Sequence, residues 1–94
     1  MARRRRAIMP QAEEGLRQFK GEVMRQYGYV VHPERPDAVK FEVARSLGVP
    51  MQRGYNGHLT SEDAGRVGGK IGGAMVREMI RQAQSELARK HQPD

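Results

Sequence analysis

Apolar residues recur at three- and four-residue steps in three separate stretches of the chain. Ala12, Leu16, Phe19, Val23 and Tyr27 form the first series, and Val39, Val43 and Leu47 the second. That spacing lines side chains along one face of a helix. The first pattern predicts a helix from Gln11 to Tyr27, with Pro10 where a helix start tolerates it and Gly28 as its stop. The second predicts a shorter helix from Asp37, as its cap, to Leu47, ended by Gly48. His32 to Pro36, with two prolines, reads as a linker, and Val49 to Leu59 as a loop turned by Gly54 and Asn56–Gly57. Thr60 then opens a long helix, with Asp63 as its capping-box partner, that runs to about Lys90.

The long helix has an unusual face. Val76, Met79, Ile80, Ala83 and Leu87 form an apolar stripe in its C-terminal half, expected to pack on the two earlier helices. Toward the N-terminus the same face is Gly65, Gly68, Gly69, Gly72 and Gly73, spaced i, i+3, i+4, i+7, i+8. Each glycine costs a helix interior about 1 kcal/mol relative to alanine, so the five together cost roughly 5 kcal/mol. A cost of that size implies that something must approach this backbone closely. Val67, Ile71 and Met75 lie on roughly the opposite side and offer a second, smaller contact. At about 100° per residue, Arg66, Lys70, Arg77 and Arg81 fall within roughly 60° of one another, beside the glycines.

Three readings of the strip follow from the residues. It is a close helix–helix contact, with Gly65, Gly69 and Gly73 in overlapping GxxxG spacing, in a soluble dimer. It lies against a nucleic-acid backbone, with the basic ridge on phosphates. Or it is solvated and meets nothing. The ridge favours the second, because a dimer contact does not require cations along its edge. The protein–protein module remains the alternative.

Composition sharpens this. The 94 residues carry a formal net charge of +6, with 37% hydrophobic residues, 5% aromatic and no tryptophan. A core built from these is thin. The basic excess points to nucleic acid before other partners. Arg3, Arg4, Arg5 and Arg6 make residues 1–10 a flexible basic arm with loose phosphate contacts, and residues 91–94 a frayed end. With no cysteine there is no disulfide or thiolate metal site. His32, His58 and His91 are scattered without ligand spacing, so no metal or other cofactor is expected. No apolar run approaches a membrane span, and no membrane partner is expected. No nucleophile–base or carboxylate pair supports an enzyme.

The two short helices are also similar to each other. Lys20, Glu22, Val23, Arg25 and Gly28 recur twenty residues on as Lys40, Glu42, Val43, Arg45 and Gly48, a short internal duplication.

The segments AEEGLRQFKGEVMRQYG, KFEVARSLGV and GYNGHLTSEDAGRVGG…AMVREMIRQAQSEL together resemble the α/β-type small acid-soluble spore proteins, from about Ala12 to Leu87. The resemblance implies an all-α chain, with short helices and one long helix in a helix-turn-helix-like arrangement, largely disordered without DNA. It implies non-specific coating of double-stranded DNA in the spore core, in the minor groove. The DNA shifts toward an A-like form and is protected from ultraviolet and chemical damage. Self-association on the DNA belongs to the same picture. Lys20 and Lys40 take the family's basic positions on the short helices. The family is degraded by a germination protease at a glutamate–aliphatic bond, which maps to Glu42–Val43. Departures are Ser46, where the family usually has glutamate, and Glu62 and Ala64, where it usually has arginine and asparagine. The stretch from Lys70 to Gly73 repeats the Gly-Gly block and adds about one helical turn.

Overall fold

The computed structural model describes residues 10–54 and 56–90. The arginines Arg3 to Arg6, Tyr55 and the end from His91 lie outside the described residues. Three α-helices follow one another: α1 (Pro10–Gln26), α2 (Val39–Leu47) and α3 (Ser61–Lys90), with a 3-10 turn at Pro36–Ala38 ahead of α2. Among the described residues there is no strand, only one bridge between His32 and Arg35. The chain is all-α.

Local chemistry explains the ends. Gly28 and Gly48 take the left-handed conformation, with φ of 95° and 74°, which a side chain disfavours. Each closes its helix in the same way. The Gly28 N–H donates to the Arg25 carbonyl at 2.9 Å, and the Tyr29 N–H reaches back to Met24 at 3.1 Å. After α2 the matching bonds are Gly48 to Arg45 at 3.1 Å and Val49 to Ala44 at 2.8 Å. At the start of α3 the Thr60 hydroxyl accepts the Asp63 N–H at 3.0 Å. The Asp63 carboxylate turns instead to Arg66, 3.5 Å away.

Two expectations change here. Asp37 does not cap α2. It lies in the 3-10 turn imposed by Pro36, and its carboxylate takes Lys20 at 2.6 Å. The long helix does not pack through Val76, Met79, Ile80, Ala83 and Leu87. Val76, Ile80 and Leu87 remain 53%, 52% and 56% exposed. Its buried face is Val67, Ile71 and Ala74, the side opposite the glycines. The reason is reach. The nine residues of α2 span only about 13 Å. Arg66 donates to the Leu47 carbonyl at 3.2 Å, so α2 ends beside the first turns of α3. Past Arg77, which meets Tyr27 just after α1, and the buried Glu78, α3 extends beyond what the short helices can cover.

Both short helices pack on that buried face. Val23 and Met24 from α1 and Val39, Val43 and Ala44 from α2 join Val31, Val49, Val67, Ile71 and Ala74. The duplication is therefore structural: Val23 and Val43 are equivalent in sequence and both fully buried. Gly21 lets α1 approach the linker, since a Cβ there would lie 3.1 Å from Val31 and 3.2 Å from Pro36. With a core this small, Met24→Ala is expected to cost the folded state about 2–5 kcal/mol. A urea melt of the DNA-bound protein followed by far-ultraviolet circular dichroism measures that loss.

Candidate nucleic-acid interface

The glycine face of α3 points away from the core. Gly65, Gly68 and Gly69 are exposed, and Gly72 and Gly73 half-buried. A Cβ built at Gly65, Gly68, Gly69 or Gly72 would meet nothing within 4 Å, and one at Gly73 only an Arg77 guanidinium nitrogen at 3.6 Å. Nothing described within the chain requires these side chains to be missing. The cost of five helical glycines has no return inside the fold, so the face is open to an outside partner.

Cations flank this face on both edges. One edge is the ridge. Arg66 is held by the Leu47 carbonyl and Asp63. Arg77 donates to the Tyr27 hydroxyl at 3.2 Å and lies 5.8 Å from that ring's centroid. Tyr27 is 50 positions away, and spacing gave no signal for it. Arg81 is bound to Glu78 at 2.5 Å. Lys70 is exposed and has no hydrogen bond or ion pair among the described residues. The other edge is a groove of about 520 Å³ between α3 and the short helices. Gly68 and Gly72 form one wall, Lys20 and Lys40 stand on the other, and Val67, Ile71, Met51 and Met75 also line it. The duplicated lysines thus reach one site from two helices.

Most of these cations are held rather than loose. Ion pairs at such exposed positions contribute about 0–1 kcal/mol each. A phosphate can displace the exposed ones at small cost, the Arg81 bond to buried Glu78 excepted, and meanwhile they keep long side chains near the stripe. Glu78 continues the buried row of α3 beyond Ala74, where the short helices end. The hydrogen bond from Arg81, with help from Gln82, holds its carboxyl below the usual range, against a smaller opposing effect of burial.

Glu42 and Val43 are placed differently. Glu42 lies on the flank of α2, 3.6 Å from Arg45, and Val43 is fully buried. The bond between them is not part of the stripe. Among the described residues no group of three or more His, Asp or Glu is placed to hold a metal, and no helix is long and apolar enough to cross a membrane.

The model of the family described as small, acid-soluble spore proteins, alpha/beta type, matches residues 5–87. The chain belongs to that family. It is similar to small, acid-soluble spore protein 1 of Clostridium perfringens (strain 13 / Type A), 33% identical over 82 residues. These cover 87% of this chain and 95% of that protein. No solved structure matches the chain significantly. Members of the small, acid-soluble spore protein family are non-enzymatic DNA-binding proteins, and membership implies binding and protection of spore DNA in the spore core. The duplicated α1 and the Gly72–Gly73 turn stand inside the matched region.

Proposed function

We propose that this protein coats double-stranded DNA with little sequence preference by laying the glycine face of α3 along the minor groove. The observation that carries this reading is the open glycine face between two rows of cations. The ridge of Arg66, Lys70, Arg77 and Arg81 takes phosphates on one side, and Lys20 and Lys40 take them on the other. Gly65, Gly68, Gly69, Gly72 and Gly73 bring the peptide groups close to the groove floor. Arg3, Arg4, Arg5 and Arg6 add loose contacts to the backbone. Contacts of this kind fix position without reading bases.

The groove must change to accept the helix. A helix with side chains is about 10–12 Å across, and a B-form minor groove about 6 Å wide. The bare face reduces the mismatch, and a wider, shallower, A-like groove removes the rest. Coated DNA in that form is shielded from ultraviolet and chemical damage. Helix formation is coupled to binding, because the core is thin and five glycines oppose the helix in the free chain. The exposed Val76, Ile80 and Leu87 support self-association along the DNA. They also favour the second reading, a helical dimer through the same face in the absence of DNA.

Removal follows from the same instability. A protease acting at Glu42–Val43 needs the bond extended, and Val43 is buried in α2. Cleavage at germination therefore requires α2 to open, which DNA-bound chains resist.

Titration with duplex DNA under circular dichroism tests the proposal. The far-ultraviolet signal is expected to gain helix and the DNA band to move toward the A form, while the DNA-free protein sediments as a monomer. A B-form band unchanged at full occupancy overturns the groove-widening reading, and a stable free dimer favours the second.

A further inference from the structure

A second hollow begins where the groove reaches Lys40. It encloses about 450 Å³ between the first turns of α1, the 3-10 turn, α2 and the loop at Arg53–Gly54. The half-buried Phe41 ring stands in its wall. The Lys40 ammonium lies 5.3 Å from the ring centroid, and the Arg53 guanidinium 5.1 Å. The negative face of an aromatic ring attracts both cations and holds them at one place. Arg35 joins them from the start of the 3-10 turn, and its exposed side chain has no partner among the described residues.

The acids of the hollow do not balance these charges. Glu14 is taken by Arg17 at 2.6 Å and by Gln18 at 2.8 Å. Asp37 is taken by Lys20 at 2.6 Å. Glu34 is the remaining carboxylate in the lining, against Arg35, Lys40 and Arg53. Like charges gathered this way repel one another, and an anion seated among them relieves that repulsion. The cations come from three separate segments, so no spacing in the sequence announces the cluster.

We propose that Arg35, Lys40 and Arg53, gathered around Phe41, form a second phosphate clamp that takes the sugar–phosphate backbone of the duplex lying on α3. The proposal rests on the duplex reading above. Lys40 belongs to both hollows, which makes the two surfaces continuous and argues for one ligand across them. The clamp widens the footprint from the long helix to the linker and loop.

The test uses the full chain and a fluorescent 30-base-pair duplex, with anisotropy read across a salt series. The double variant Arg35→Gln/Arg53→Gln removes two exposed cations, and its far-ultraviolet spectrum with DNA bound checks that the fold is intact. Its affinity at 0.1 M salt is expected to fall on the order of tenfold, and its log–log salt slope to become shallower by about 1.8. Glu34→Gln is expected to tighten binding. Affinity and slope unchanged in the double variant overturn the clamp. Gly69→Leu, measured beside it, separates the two proposals: a clamp effect with a silent Gly69→Leu removes the stripe and keeps the clamp, and the reverse removes only the clamp.

Discussion

Gly69→Leu is expected to weaken duplex binding on the order of a hundredfold, about 2.7 kcal/mol, while the free protein becomes no less helical. Position 69 faces open space, so a leucine there meets nothing within the chain. Leucine is also the better helix former, by somewhat less than the roughly 1 kcal/mol that separates glycine from alanine, which stabilises α3 in the absence of DNA. Loss of binding therefore cannot be ascribed to loss of fold. The expected cause is distance: a side chain several ångströms long lifts the peptide backbone off the groove and carries Arg66, Lys70 and Arg77 away from the phosphates. Anisotropy with a labelled duplex and circular dichroism of the free variant measure the two effects side by side. Undiminished affinity in a folded variant would falsify the stripe as the contact surface.

Raising salt from 50 to 200 mM is expected to cost about a thousandfold in affinity. Lys20, Lys40, Arg66, Lys70, Arg77 and Arg81 alone offer six phosphate contacts, a log–log slope of about −5.4 before the clamp and the arginine arm add to it. A fourfold rise in salt on that slope lowers binding by roughly 3 decades. The internal partners of Lys20, Arg66, Arg77 and Arg81 do not cancel this. The partners of Lys20, Arg66 and Arg77 are exposed or half-exposed and exchange readily for phosphate, whereas Arg81 is bound to the buried Glu78 and contributes least. An equilibrium titration at four salt concentrations supplies the slope, and the same slope measured on two unrelated duplex sequences tests the lack of base readout. A slope near zero would mean that the partner is not a polyanion.

The two predictions address different halves of one surface. The first concerns shape at a position with no side chain, and the second concerns charge at its edges. A soluble dimer through the glycine face would share the sensitivity at position 69 but not the steep salt dependence on added duplex. Family membership already places DNA binding with this chain. What the two experiments decide is which face does it.

Much of the site is readable from spacing. The glycine row and the ridge of Arg66, Lys70, Arg77 and Arg81 lie where helix geometry puts them, because 100° per residue holds whatever the helix packs against. The matching ends at Gly28 and Gly48 are equally local. The meeting of Lys20 and Lys40 at one groove is not local, although the duplication hints at equivalent positions. Arg77 on Tyr27 and the Arg35–Lys40–Arg53 cluster had no signal in the chain order.

The sequence by itself determined three helical stretches, a bare face on the longest and cations beside it. It also offered two apolar rows on that helix, and the longer one, expected to pack on the earlier helices, is the one left exposed. Only the tertiary structure chose Val67, Ile71 and Ala74 over Val76, Ile80 and Leu87. Periodicity is a property of one helix, set by backbone geometry. Which row is buried depends on where the short α2 and the loop after it can deliver their own apolar side chains, and that delivery reaches only the first turns of α3.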